Sequence, residues 1–93
     1  MQVTVRFLDV MRDRAGKRSM VIELPDGATY RDLLDHIAPE MESGLADWAW
    51  DAERGSFSRR MMVLRNSSVE LRDGSTGLED GDEIVVLVPL AGG

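Results

Sequence analysis

The chain has no cysteine and only one histidine among its 93 residues. Without a thiol there is no disulfide, no thiolate nucleophile and no cysteine-bound metal. His36 has no second ligand at metal spacing and reads as a solvated helix position. Ser67-Ser68 has no histidine partner, and a turn is reason enough for it. No glycine-rich loop opens a helix, so a phosphate cradle is missing too. Asp80, Asp82 and Glu83 lack the alternation of a calcium loop, with Gly81 marking a turn, so no metal is expected. The first residues, Met1–Arg6, lack the apolar core of a signal peptide, and no apolar run approaches the ~20 residues of a membrane span. The expectation is a cytoplasmic protein with no membrane partner. Lysine is nearly absent: Lys17 is the one lysine among 11 basic residues. Any conjugation to a side-chain amine of this chain therefore falls on Lys17, in a connection expected to be exposed. The 17 acidic residues outweigh the basic ones to give a net charge of −6. That disfavours nucleic acid and anionic membranes, and points to partners with basic surfaces.

What is present suits one compact domain spanning 1–93, with 43% hydrophobic and 30% charged residues. Val3, Val5 and Phe7 alternate with Gln2, Thr4 and Arg6, the period of a half-buried strand. A polar connection follows from Asp9 to Lys17, with a helical turn around Val10-Met11-Arg12. Ser19–Leu24 reads as a second strand, antiparallel to the first and ended by the turn Pro25-Asp26-Gly27. Thr29 is placed as an N-cap with Asp32 three residues on. Tyr30, Leu33, Leu34 and Ile37 then form one apolar stripe of a helix, which Pro39 is expected to stop near Ala38. Met41, Leu45 and Trp48 sit at helical spacing and predict a second short helix. Trp48 and Trp50 are assigned to packing rather than ligand stacking. Asp51–Ser56 reads as a charged loop, Met61–Leu64 as a strand, Asn66-Ser67-Ser68 as a turn and Val69–Leu71 as a brief edge strand.

Leu78–Asp82 is a tight acidic turn feeding Ile84-Val85-Val86-Leu87-Val88-Pro89. That last strand is apolar on both parities, so both its faces are expected to be covered or docked. Ile84, Val86 and Val88 are assigned to the core. Val85 and Leu87 are assigned outward, near Leu8, as a docking patch. A right-handed crossover lays the first and last strands side by side and parallel, with the helix across one face. Beyond Pro89 the chain continues as Leu90-Ala91-Gly92-Gly93. This tail, 90–93, has no helix to cap and no turn to close. Two glycines make it thin and conformationally free up to the carboxylate, a shape that threads into a narrow active site. With no other reactive constellation in the chain, the Gly93 carboxylate is the candidate reacting group.

Taken together, these features resemble the ubiquitin-like sulfur carriers of the MoaD/ThiS family. The most specific stretch is Leu78-Glu79-Asp80-Gly81-Asp82-Glu83-Ile84 through Val88-Pro89-Leu90-Ala91-Gly92-Gly93. Asn66 after an apolar strand, and the helix start after Pro25-Asp26-Gly27-Ala28-Thr29, also match. The family often carries two prolines before the tail, where this chain has Val88-Pro89, and thiamin-type carriers usually lack the 40–58 segment. The resemblance implies an α+β fold: a β-grasp with a mixed sheet of four to five strands and one main helix packed across one face. It implies a protein substrate rather than an enzyme. An E1-like adenylating enzyme of the MoeB/ThiF type, using ATP and Mg, would adenylate the Gly93 carboxylate. A sulfur donor would convert it to a thiocarboxylate, and a sulfur-accepting enzyme such as the molybdopterin synthase large subunit would receive it. Gly92 with Gly93 would enter the partner, and Val85, Leu87, Pro89, Leu90 and Ala91 would contact it. No cofactor is expected on the chain itself. Molybdopterin biosynthesis is the leading pathway. Cysteine, thiamin or tRNA thiolation, a ubiquitin-like modifier joined to lysines through Gly93, and a non-covalent interaction module are the alternatives.

Overall fold

In the computed structural model, which describes residues 1–8 and 19–89, the expected alternation is realised in β1 (Gln2–Phe7). Val3, Val5 and Phe7 point into the core and are essentially inaccessible. β1 pairs antiparallel with β2 (Ser19–Glu23), Val3 opposite Ile22 and Val5 opposite Met20. The helical turn expected around Val10-Met11-Arg12, Lys17 and the tail from Leu90 to Gly93 lie outside the described residues.

The helix α1 (Tyr30–Gly44) begins as its capping residues dictate. The Thr29 side chain accepts from the Asp32 N–H at 3.3 Å, and the Asp32 carboxylate accepts from the Thr29 N–H at 2.9 Å. Its end differs from the sequence expectation, because α1 runs through Pro39 to Gly44. A proline removes one helical N–H and so frees the carbonyl four residues back. Here both Pro39 and Asp35 lie on the exposed face, where water can take that carbonyl. Met41, meanwhile, extends the buried stripe of Tyr30, Leu33, Leu34 and Ile37 by one turn. Packing of that last turn outweighs the lost bond. The second short helix is absent: Leu45 is the C-cap of α1, its N–H bonded to the Met41 carbonyl at 2.9 Å, and Trp48 lies in a turn.

Beyond the turn comes a two-stranded hairpin, β3 (Trp50–Asp51) and β4 (Ser56–Phe57). The charged segment between them is its turn, with Gly55 in the left-handed region at φ 63°. Arg31 of α1 pins that turn by donating to the carbonyls of Arg54 and Gly55. Trp50 and Phe57 meet edge to face at 5.1 Å, and Phe57 reaches Phe7 at 6.5 Å. Trp50 is buried and Trp48 packs against the core, so both tryptophans serve packing.

The remaining strands are β5 (Met62–Arg65), β6 (Val69–Glu70) and β7 (Glu83–Leu87). Asn66 and Ser67, both with positive φ, form the tight turn between β5 and β6. The five-stranded sheet runs β2-β1-β7-β5-β6, with β1 and β7 parallel and the other neighbours antiparallel. The last strand is thus central, and the apolar stripe of α1 joins one sheet face in a single core. This is the β-grasp arrangement. Among the described residues no helix is long and apolar enough to cross a membrane.

Candidate functional site

The approach to β7 is held by polar contacts that strand periodicity does not reveal. Asp82 is the one buried charged residue among those described. Its carboxylate accepts from the Glu79 N–H at 2.9 Å, the Asn66 amide at 3.2 Å and the Arg65 guanidinium at 2.7 Å. Burial acts to raise its pKa, but these donors outweigh that and hold it below the usual carboxylate range. Asn66 also takes the Glu83 N–H on its side-chain oxygen and gives its own N–H to the Glu83 carbonyl. Asp80 accepts from the Gln2 N–H at 2.7 Å. The acidic turn is therefore a structural brace that fixes the start of β7 against β1 and β5. No group of residues that could hold a metal occurs among the described residues. Sequence reading missed this use of Asp82; the signal lay in Asn66, whose short amide suits a left-handed turn beside a strand start.

From that brace β7 runs straight to the tail. Ile84 and Val86 are inaccessible, and Val88 packs against the core cluster, as the sequence parity predicts. Val85 and Leu87 occupy the opposite parity. Val85, however, is 4% exposed, a correction to its placement in an open docking patch. Its register partners Arg6 and Leu64 flank it on the same face of a central strand, which leaves little of it to touch. Leu87 is half-buried and pairs with Met62, and Pro89 is exposed. Leu8 arrives at the same end, its N–H bonded to the Val86 carbonyl at 3.0 Å. The accessible surface at the tail's root is thus Leu8, Leu87, Val88 and Pro89. Leu90, Ala91, Gly92 and Gly93, with Lys17, lie outside the described residues.

Beside this root runs the segment Ser58–Met61, which enters β5 at Met62 opposite Leu87. Ser58 donates to the Trp48 carbonyl and so ties the segment to the turn after α1. Behind it a recess of about 400 Å³ opens between α1, the β3–β4 hairpin and the β5–β6 edge. Leu34, Phe57 and Met61 line it together with Arg31, Arg59 and Arg72. Tyr30 borders it too, and burial pushes its phenol pKa well up. None of these groups forms an acid–base pair or a nucleophile with its base. The described residues form a platform that ends at the exposed Pro89, where the tail begins.

Known proteins agree with this geometry. Over the full length of both chains, the sequence is 34% identical to a small archaeal modifier protein 3 from Haloferax volcanii. Over the full length of both, it is also 31% identical to a molybdopterin synthase sulfur carrier subunit from Chlamydomonas reinhardtii. Among solved structures, it superposes on a chain from the complex of molybdopterin-converting factor subunits 1 and 2 of Helicobacter pylori. There the TM-score is 0.65 at 26% identity, over the whole of both chains. Residues 5–93, from the first strand through the diglycine, match the ThiS family. A β-grasp whose central last strand leads into that tail is what such a match requires, and the chain belongs to the ThiS family.

Proposed function

We propose that the chain is a sulfur carrier whose Gly93 carboxylate is the working group. The observation that carries this reading is the central, braced β7 leading directly to a Gly-Gly end, in a chain that matches the ThiS family through residue 93. A carboxylate is a poor electrophile. Attack of a Gly93 oxygen on the α-phosphorus of ATP, in an E1-like enzyme using Mg, releases pyrophosphate and leaves an acyl-adenylate. A sulfide-level donor then adds at the acyl carbon and AMP departs, giving a thiocarboxylate. The carrier supplies no catalytic group to either step. It supplies a handle that its partners recognise and a tail thin enough for their channels.

The relative named as a molybdopterin synthase sulfur carrier subunit, and the likeness to a subunit of a two-subunit molybdopterin-converting factor, favour molybdopterin biosynthesis. The acceptor would then be the large subunit of that synthase. The 34% identity to a small archaeal modifier protein supports a second use, in which the activated Gly93 is passed to lysine amines of target proteins. Both begin with the same adenylation.

The test is ATP–pyrophosphate exchange with the E1-like enzyme of the source organism, followed by intact mass of the carrier. Wild-type protein is expected to support exchange and to gain a thiocarboxylate. Deleting Gly93, or Gly92→Val, is expected to abolish both, because a β-branched residue restricts and widens the tail. Full exchange by the Gly93 deletion would sink the carrier and the modifier readings together.

A further inference from the structure

The described residues include seven arginines: Arg6, Arg31, Arg54, Arg59, Arg60, Arg65 and Arg72. Four are paired with carboxylates: Arg6 with Glu83, Arg31 with Asp35, Arg65 with Asp82 and Arg72 with Glu70. The guanidinia of Arg54, Arg59 and Arg60 make no ion pair with any described residue, and all three residues are exposed. They are not scattered. Together with Ser58 they line one shallow recess on the outer side of the Ser58–Met61 segment. Asp47 and Asp51 border the same recess, but the Asp51 carboxylate is engaged by the backbone N–H groups of Glu53 and Arg54.

The place of this strip in the fold gives it meaning. Arg59 and Arg60 immediately precede Met61 and Met62, and Met62 is the register partner of Leu87. Because β5 is antiparallel to β7, the start of one lies beside the end of the other. The basic strip therefore flanks the root of the tail. Four further residues reach at most about 13 Å beyond Pro89, so whatever takes up the tail must also cover this ground. In a chain of net charge −6, three arginines with no carboxylate partner among the described residues outnumber the two carboxylates, Asp47 and Asp51, that border the same recess.

We propose that Arg54, Arg59 and Arg60 form a docking strip that recognises carboxylates on the protein surface surrounding the channel that receives the tail. The inference rests on the carrier reading and adds to it the charge of the partner's rim. An acidic rim is the complement of the strip. Nucleic acid is disfavoured by the overall negative charge, since phosphate backbones would be repelled over most of the surface. Exposed charges at the edge of an interface govern encounter and its salt dependence more than the chemistry that follows. The strip should thus act on the carrier's KM, not on the turnover number.

The experiment is ATP–pyrophosphate exchange with the same E1-like enzyme, comparing wild type, Arg59→Glu/Arg60→Glu and Arg59→Lys/Arg60→Lys. All are measured at low ionic strength and near ~0.5 M salt, where exposed charges are largely screened. Arg59 and Arg60 are both exposed, so matching melting curves are expected. The double glutamate variant should raise KM about tenfold at low salt with kcat unchanged. The lysine variant should stay near wild type, and the gap should close at high salt. An unchanged KM in the glutamate variant overturns the inference while leaving the carrier reading intact. So does a raised KM that persists at high salt or appears equally with lysine, since either means shape rather than charge. No exchange by the wild type overturns the carrier reading and this inference with it.

Discussion

Asp82 shows how one buried carboxylate ties the turn before β7 to the end of β5. Its partners favour the charged form, so its folded pKa lies below the ordinary, unfolded value of 3.8. The stability this supplies is fully present above that unfolded value and is lost as the pH falls through the lower, folded one. Asp82→Asn is expected to lower stability by about 2 kcal/mol, the scale of hydrogen bonds to a charged group. In a domain of this size that is a fall of roughly 10 °C in melting temperature. The variant should also lose part of the acid-unfolding limb below pH ~4. An unchanged acid midpoint would mean the brace contributes nothing through its charge. None of this was legible in the sequence as a role for Asp82. An acidic turn with glycine was recognisable, but the donors Arg65 and Asn66 lie 16 or more positions away and meet it only after β5 and β7 pair.

Element by element, sequence periodicity succeeded where one face of a long segment is buried. β1 and the start of α1 are cases: Val3-Val5-Phe7 and the Thr29–Asp32 box are local patterns with local consequences. It failed at Pro39, because the effect of a proline depends on which face of the helix loses its bond. The freed carbonyl is on the exposed side and Met41 still reaches the core. Pro39→Ala restores an N–H there and is expected to raise stability by about 1–2 kcal/mol. That is less than the full proline penalty, because the unfolded chain also becomes more flexible. A urea midpoint no higher than wild type would show that the helix already compensates. The spacing of Met41, Leu45 and Trp48 was real, but it continued α1 and its cap instead of starting a new helix. The strands β3 and β4 are two residues each, too short to carry a period.

At the scale of the whole molecule, the fold separates stability from delivery. Residues with the same parity on β7 should behave differently on that account. Val85→Asp places a charge at a 4% exposed position and is expected to unfold the domain. Leu87→Asp, half-buried at the tail's root, is expected to stay folded and to reduce exchange by about tenfold or more if Leu87 belongs to the expected docking surface. Melting curves beside exchange assays distinguish the two, and equal behaviour would contradict this division of roles. By itself the sequence determined the elements with clear periodicity, the apolar last strand and the diglycine end on which the proposed function rests. Those are properties of adjacent residues, where side-chain period and backbone freedom act locally. Only the tertiary structure decided that Val85 is covered, that Asp82 is a brace and that three arginines without a carboxylate partner among the described residues gather near the tail's root. Each depends on which distant strands become neighbours, and that is set by long-range pairing and burial.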